Sequence, residues 1–84
     1  MEKLIIDVCE PLEFKLSHVK GAINIPLNKL DNSSNLENID KDTPIILYCK
    51  SGQRANVALS HLQSLGFTNL TNGINKHNVE ANYI

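Results

Sequence analysis

Four apolar runs divide the chain, and the segments between them carry either helical spacing or turn punctuation. Leu4-Ile5-Ile6-Asp7-Val8 is short and β-branched, which predicts a buried strand. Asp7 interrupts it near its C-terminal end and must be hydrogen-bonded there, because an unpaired buried charge is costly. Pro11 fits the first turn of a short helix ending near Ser17-His18, with Glu10 and Glu13 at its favourable N-terminal end. Leu12 and Leu16, with Phe14 or Val19, supply that helix with an apolar side. Gly21 punctuates, and Ala22-Ile23-Asn24-Ile25 reads as a second strand stopped by Pro26, followed by one helical turn over Leu27 to Leu30. The stretch from Asp31 to Asp42 is the most polar and predicts a surface connection, with Leu36 and Ile39 anchoring a turn.

After Pro44, the run Ile45-Ile46-Leu47-Tyr48 is continuously apolar, as a central parallel strand covered on both faces must be. From Arg54 to Leu65 the apolar residues Ala55, Ala58, Leu59, Leu62 and Leu65 recur at offsets of three and four, one face of a helix. Gly66 is the expected C-terminal cap, with Phe67 packing back. Asn69-Leu70-Thr71 reads as a last short strand, Asn72-Gly73 as a turn, and Val79 and Ile84 as anchors of the end. Strand and helix signals therefore alternate. This predicts an α/β domain with a mostly parallel sheet of about four strands and helices on both faces. In such sheets functional residues gather at the carboxyl ends of the strands, which puts Cys9 and Cys49 on one edge.

With 84 residues the chain has room for one core, so residues 1–84 are read as a single domain. Hydrophobic residues make up 42% and charged residues 20%, an ordinary soluble composition. A net charge of −1 gives no field that would draw nucleic acid or an anionic membrane. No apolar run reaches 18 residues and no signal sequence is present. The expectation is a cytoplasmic protein, or a periplasmic one if a signal has been removed. Two cysteines 40 positions apart fit neither a metal knuckle nor a disulfide scaffold. The three histidines are scattered, so no metal site is expected.

The chemistry concentrates in Cys49-Lys50-Ser51-Gly52-Gln53-Arg54, a basic loop between the third strand and the long helix. Such a loop collects backbone N–H groups at a helix start, and Gly52 lets it curl. A free thiol with a pKa near 8.5 is mostly protonated at neutral pH. The N–H groups of Lys50 to Arg54, together with the Lys50 and Arg54 cations, act to lower that value.

Three blocks in order give the chain a resemblance to the single-domain rhodaneses, the sulfurtransferase family, and to the smallest, phage-shock-type members in particular. They are Leu4 to Phe14, with Asp7-Val8-Cys9-Glu10 at its centre; His18-Val19-Lys20-Gly21-Ala22-Ile23-Asn24-Ile25-Pro26; and Tyr48 to Ala55, followed by the helix exit Leu65-Gly66-Phe67. The chain departs from the family at Cys9, where arginine is usual, at Ser17, where glycine is usual, and at Asn72-Gly73-Ile74, where a glycine pair and tryptophan close the domain. The resemblance implies a thiosulfate-type sulfurtransferase without cofactor. Cys49 is its catalytic nucleophile, and Lys50, Ser51, Gly52, Gln53 and Arg54 hold an anionic donor. The sulfur passes through a Cys49 persulfide to cyanide or a thiol, a protein thiol included. The alternative is a rhodanese-like sulfur-carrier or protein-interaction module with little small-molecule turnover. A phosphatase or arsenate reductase is disfavoured, because rhodanese-like phosphatases carry one residue more than this six-position loop. Arg54 has two open roles, bracing the loop or touching substrate. Cys9 also has two, a small buried hydrophobe or a resolving thiol for Cys49. Asp7 and His18 read as structural.

Overall fold

The computed structural model describes residues 2–32 and 36–84. Its elements are β1 (Leu4–Asp7), α1 (Pro11–Leu16), β2 (Ile23–Asn24), a 3₁₀ turn (Leu27–Asn32), β3 (Ile45–Cys49), α2 (Gln53–Ser64), β4 (Leu70–Asn75) and α3 (Lys76–Asn82). The four strands form one parallel sheet in the order β2-β1-β3-β4. The chain runs from β1 outward to β2, then returns across β1 to add β3 and β4 on the other side. The crevice between the carboxyl ends of β1 and β3 is thus a topological switch point, where open α/β sheets bind ligands.

β3 is buried along its whole length, and its side chains alternate between two cores. Ile45, Leu47 and Cys49 join Ile6, Val8 and Cys9, the α2 residues Ala55, Ala58 and Leu62, and Phe67 on one face. Ile46 and Tyr48 meet Ile5, Val19 and Val79 of α3 on the other. The alternation is the pleat of a central strand, and it puts helices on both faces of the sheet. α2 ends as its sequence foretells. The Phe67 N–H bonds the Leu62 carbonyl at 3.1 Å and the Gly66 N–H bonds the Gln63 carbonyl at 3.0 Å, with Gly66 at φ +100°. That is a Schellman cap, and it drives Phe67 into the core.

Several expectations need correction. α1 has no buried residue, and Leu12 and Leu16 are 68% and 79% exposed. Polar contacts tie the helix to the rest of the domain: Glu13 to Arg54, and the Ser17 hydroxyl accepting from Lys76 Nζ at 2.8 Å. Asn72-Gly73 does not turn the chain. Both residues lie inside β4, because an irregularity opposite Leu47 and Tyr48 absorbs Gly73 and lets the strand run on to Asn75. Finally, Lys76–Asn82 forms a helix that its scattered apolar residues do not announce. Asn75 caps it, its side chain accepting the Asn78 N–H at 2.8 Å, and Val79 is its one buried residue. Ile84, expected as an anchor, is 69% exposed. The second strand is also shorter than read from the sequence, Ile23–Asn24 rather than 22–25. Of the polar stretch 31–42, part lies outside the described residues; Leu36 is buried and Ile39 packs against the same core. Among the described residues no helix is long and apolar enough to cross a membrane.

Candidate active site

Cys49 is the last residue of β3, and its side chain is buried at the switch point. The chain leaves it through Lys50 and Ser51, both exposed, and re-enters helix at Gln53. Gly52 makes the change of direction. Its φ of +89° is left-handed, a conformation that only a residue without Cβ adopts cheaply. The turn aims the Gly52 N–H at the Cys49 sulfur, 3.1 Å away. The Ser51 N–H and, from the first turn of α2, the Arg54 and Ala55 N–H groups lie close enough to the same sulfur to lower its pKa. First-turn amides have no partner within their own helix, so a nearby anion satisfies them. Burial pushes the Cys49 thiol up, but these four amides outweigh it and the net shift is downward.

The Arg54 side chain reaches α1. Its Nη1 and Nη2 donate to Glu13 Oε1 and Oε2 at 2.7 and 3.1 Å, a fork-to-fork pair. Glu13 Oε1 also accepts the Glu10 N–H at 3.0 Å. The Arg54 guanidinium first, then this backbone bond, holds the Glu13 carboxyl down at about 2. Glu13 in turn raises the Arg54 pKa further above its ordinary value. Of the two roles left open for Arg54, the structure displays bracing.

Beneath the crevice Asp7 is buried, with 2% of its surface exposed. Its Oδ1 accepts the Cys9 N–H at 2.8 Å. Asn24 Nδ2 ties the same turn by donating to the Asp7 and Cys9 carbonyls, each at 2.9 Å. The Tyr48 hydroxyl accepts the Val19 N–H at 2.9 Å, and burial raises its pKa. The Cys9 thiol is raised to about 12 by burial first and then by the neighbouring Asp7. Both cysteines are free and buried. A thiol held protonated is a poor attacker of a persulfide, so the geometry supports Cys9 as a small core residue rather than a resolving thiol. His18 is exposed, stacks on Phe14 at 3.8 Å between ring centres and bonds the Phe14 carbonyl through Nδ1 at 2.8 Å, a structural placement. Among the described residues no three His, Cys, Asp or Glu side chains gather where a metal ion could bind.

Of the loop residues singled out by sequence, Ser51, Gly52 and Arg54 are brought onto the sulfur through their backbones. The Lys50 and Gln53 side chains face solvent. Three contributors were not foreseen: the Ala55 N–H, Glu13 as partner of the sole arginine, and Asn72, whose Nδ2 donates to the Gly52 carbonyl at 3.0 Å. A lone arginine beside a thiol calls for a carboxylate, and Glu13 was visible to that argument. Asn72, read as a turn residue, gave no such signal.

Comparison with known proteins places the fold in a family. A family model described as Rhodanese-like domain matches residues 1–78. Uncharacterized protein YqhL of Bacillus subtilis is 41% identical over 68 residues, covering 81% of this chain and 52% of YqhL. Thiosulfate sulfurtransferase PspE of Escherichia coli K12 is 34% identical over 67 residues, 80% of this chain and 64% of PspE. The chain thus spans about half to just under two thirds of the length of these relatives. A solved rhodanese with anions from E. coli has a TM-score of 0.83 at 30% identity, covering 92% of this chain and 91% of that one. The chain belongs to the rhodanese-like domain family.

Proposed function

We propose that this protein is a sulfurtransferase that carries sulfur as a persulfide on Cys49. The observation that carries the reading is a buried cysteine sulfur at the switch point that accepts the Gly52 N–H, with further loop and helix amides near enough to lower its pKa. It favours the thiolate, and the same amides suit the terminal anion of a persulfide. The Cys49 thiolate attacks the outer sulfur of a donor such as thiosulfate. The new Cys49 S–S bond forms as the donor S–S bond breaks, and sulfite leaves with the electron pair. A cyanide ion or an acceptor thiolate then attacks the outer sulfur, takes it as thiocyanate or as a new persulfide, and returns the Cys49 thiolate. No net proton transfer to Cys49 is needed in either step. Lys50, exposed in the loop, favours a dianionic donor, and Arg54 adds a guanidinium whose charge Glu13 partly offsets. The relative PspE is a thiosulfate sulfurtransferase by name, which agrees with this choice of donor.

A second reading, transfer to or from a protein, has its own supporting observation. Leu12 and Leu16 stand exposed on a helix joined to α2 by the Glu13–Arg54 pair, an apolar strip open to a partner. Intact-mass spectrometry after incubation with thiosulfate tests the first reading, with wild type beside Cys49→Ser. The expected result is a gain of one sulfur atom in wild type, removed by cyanide and absent from Cys49→Ser. No gain in either protein rejects thiosulfate as donor and leaves the protein-partner reading. A gain retained by Cys49→Ser rejects Cys49 as carrier.

A further inference from the structure

The side chain of Asn72 makes two hydrogen bonds in opposite senses, and both end at the active-site loop or at the residue packed against it. Nδ2 donates to the Gly52 carbonyl at 3.0 Å, and Oδ1 accepts the Ile74 N–H at 2.9 Å. Ile74 has φ +73°, the one non-glycine residue at positive φ among those described. A β-branched residue is strained there, so the surroundings must enforce the conformation. They do so from both sides. Gly73 is squeezed against the core, where a Cβ would lie 2.6 Å from Val79 and 2.8 Å from Ile46, which fixes the irregularity in β4 from below. Ile74 then lies against Gly52, its Cγ2 and Cα at 3.4 and 3.5 Å from where a Gly52 Cβ would stand. The Gly52 carbonyl takes its other bond from the Asn56 N–H of α2 at 2.9 Å. The left-handed peptide that aims an N–H at Cys49 is therefore held by α2 on one side and by Asn72 on the other.

We propose that Asn72 is a positioning residue for the nucleophile: it clamps Gly52 in its left-handed turn and keeps the loop amides on the Cys49 sulfur. The proposal rests on the reading of Cys49 as the nucleophile, though not on the identity of its donor. The titratable and charged groups around the loop are Arg54 on α2, Lys50 in the loop, Glu13 on α1, Asp7 and Cys9 at the end of β1, and Lys76 at the start of α3. β4 itself carries none, so uncharged substitutions at position 72 alter the amide cradle without altering the charges.

The test is the pH dependence of Cys49 alkylation by iodoacetamide, followed by mass spectrometry with peptide mapping, in wild type, Asn72→Ala and Asn72→Ser. Serine keeps an oxygen near the Ile74 N–H but is too short to reach the Gly52 carbonyl, so it separates the clamp from the local turn. The expected result is a rise in the alkylation midpoint of about half to one pH unit in both variants, the size of one weakened hydrogen bond to a thiolate. Asn72→Ser should keep a melting temperature near that of wild type. An unchanged midpoint in folded Asn72→Ser overturns the proposal, whatever Asn72→Ala does. Because alkylation needs no sulfur donor, a protein that fails to take sulfur from thiosulfate still reports on the clamp.

Discussion

The ends of β1 and β3 place two cysteines side by side on one sheet edge and give them opposite chemistry. Cys9 and Cys49 are each 2% exposed and pack into the same core. Burial pushes both thiols up, so burial cannot be what separates them. The difference lies in what the next few peptide groups do. After β1 the chain folds back so that Asp7 accepts the Cys9 N–H, and a carboxylate is left next to the thiol. After β3 a left-handed glycine turns the amides inward, and α2 starts with its unpaired N–H groups on the sulfur. One thiol meets an anion and the other meets donors. Position at a strand end is therefore a place where chemistry can be built; the two or three residues after it decide whether it is.

The largest test of this contrast is alkylation of wild type at neutral pH. Cys9 titrates at about 12 and Cys49 below the ordinary 9.0, a gap of at least three pH units. The thiolate fractions then differ by about 10³ or more. Peptide mapping after a short iodoacetamide pulse should find the label on Cys49 alone, and equal labelling would break the comparison. Gly52→Ala comes next. Alanine at φ +89° costs about 1–2 kcal/mol, enough to lower the melting temperature by several degrees in a chain of this size. The same change tilts the amide away from the sulfur, so Cys49 should alkylate roughly tenfold more slowly at pH 7; unchanged reactivity would mean the cradle does not depend on this turn. Asp7→Asn attacks the other side of the contrast. It keeps an acceptor for the Cys9 N–H and removes the charge, so the Cys9 pKa should fall by about one unit. Its alkylation between pH 9 and 10 should quicken while that of Cys49 stays within twofold.

The smallest effect belongs to Glu13. Its carboxyl is held at about 2 against an ordinary 4.5, a depressed value, so its contribution to stability is fully present above pH 4.5. That contribution is lost as pH falls from 4.5 towards 2. Because the pair is about one-third exposed, the contribution is small, about 0.5–1 kcal/mol. Denaturant unfolding of wild type and Glu13→Gln should differ by that amount at pH 7 and converge near pH 2. A difference that persists at pH 2 would assign the effect to the packing of α1 rather than to the charge pair.

The parallel sheet, its central strand and the long helix were legible from the chain alone. The apolar run at Ile45–Tyr48 and the three-and-four spacing from Ala55 to Leu62 report which faces are buried, and burial is what periodicity encodes. The candidate nucleophile Cys49 was legible for a related reason: strand, glycine loop and helix succeed one another along the chain. The failures fall where contacts between distant segments outweigh local pattern. α1 looks amphipathic yet leaves its leucines in water, while Glu13 on the same helix pairs with Arg54, 41 positions away. Asn72-Gly73 has the composition of a turn and is strand, because Ile46 and Val79 leave room for no side chain at 73 and β3 pairs with Asn72 on one side of it and Ile74 on the other.

By itself, then, the sequence determined the α/β class, the core of β3 and α2, and the loop that carries Cys49. Only the tertiary structure decided that Cys9 is held protonated, that Arg54 is braced by Glu13, and that Asn72 reaches the loop from β4. Hydrophobic burial repeats with the period of the backbone and so leaves a trace along the chain. Hydrogen bonds and charge pairs between segments 20 to 41 positions apart leave none until the sheet has placed their partners together.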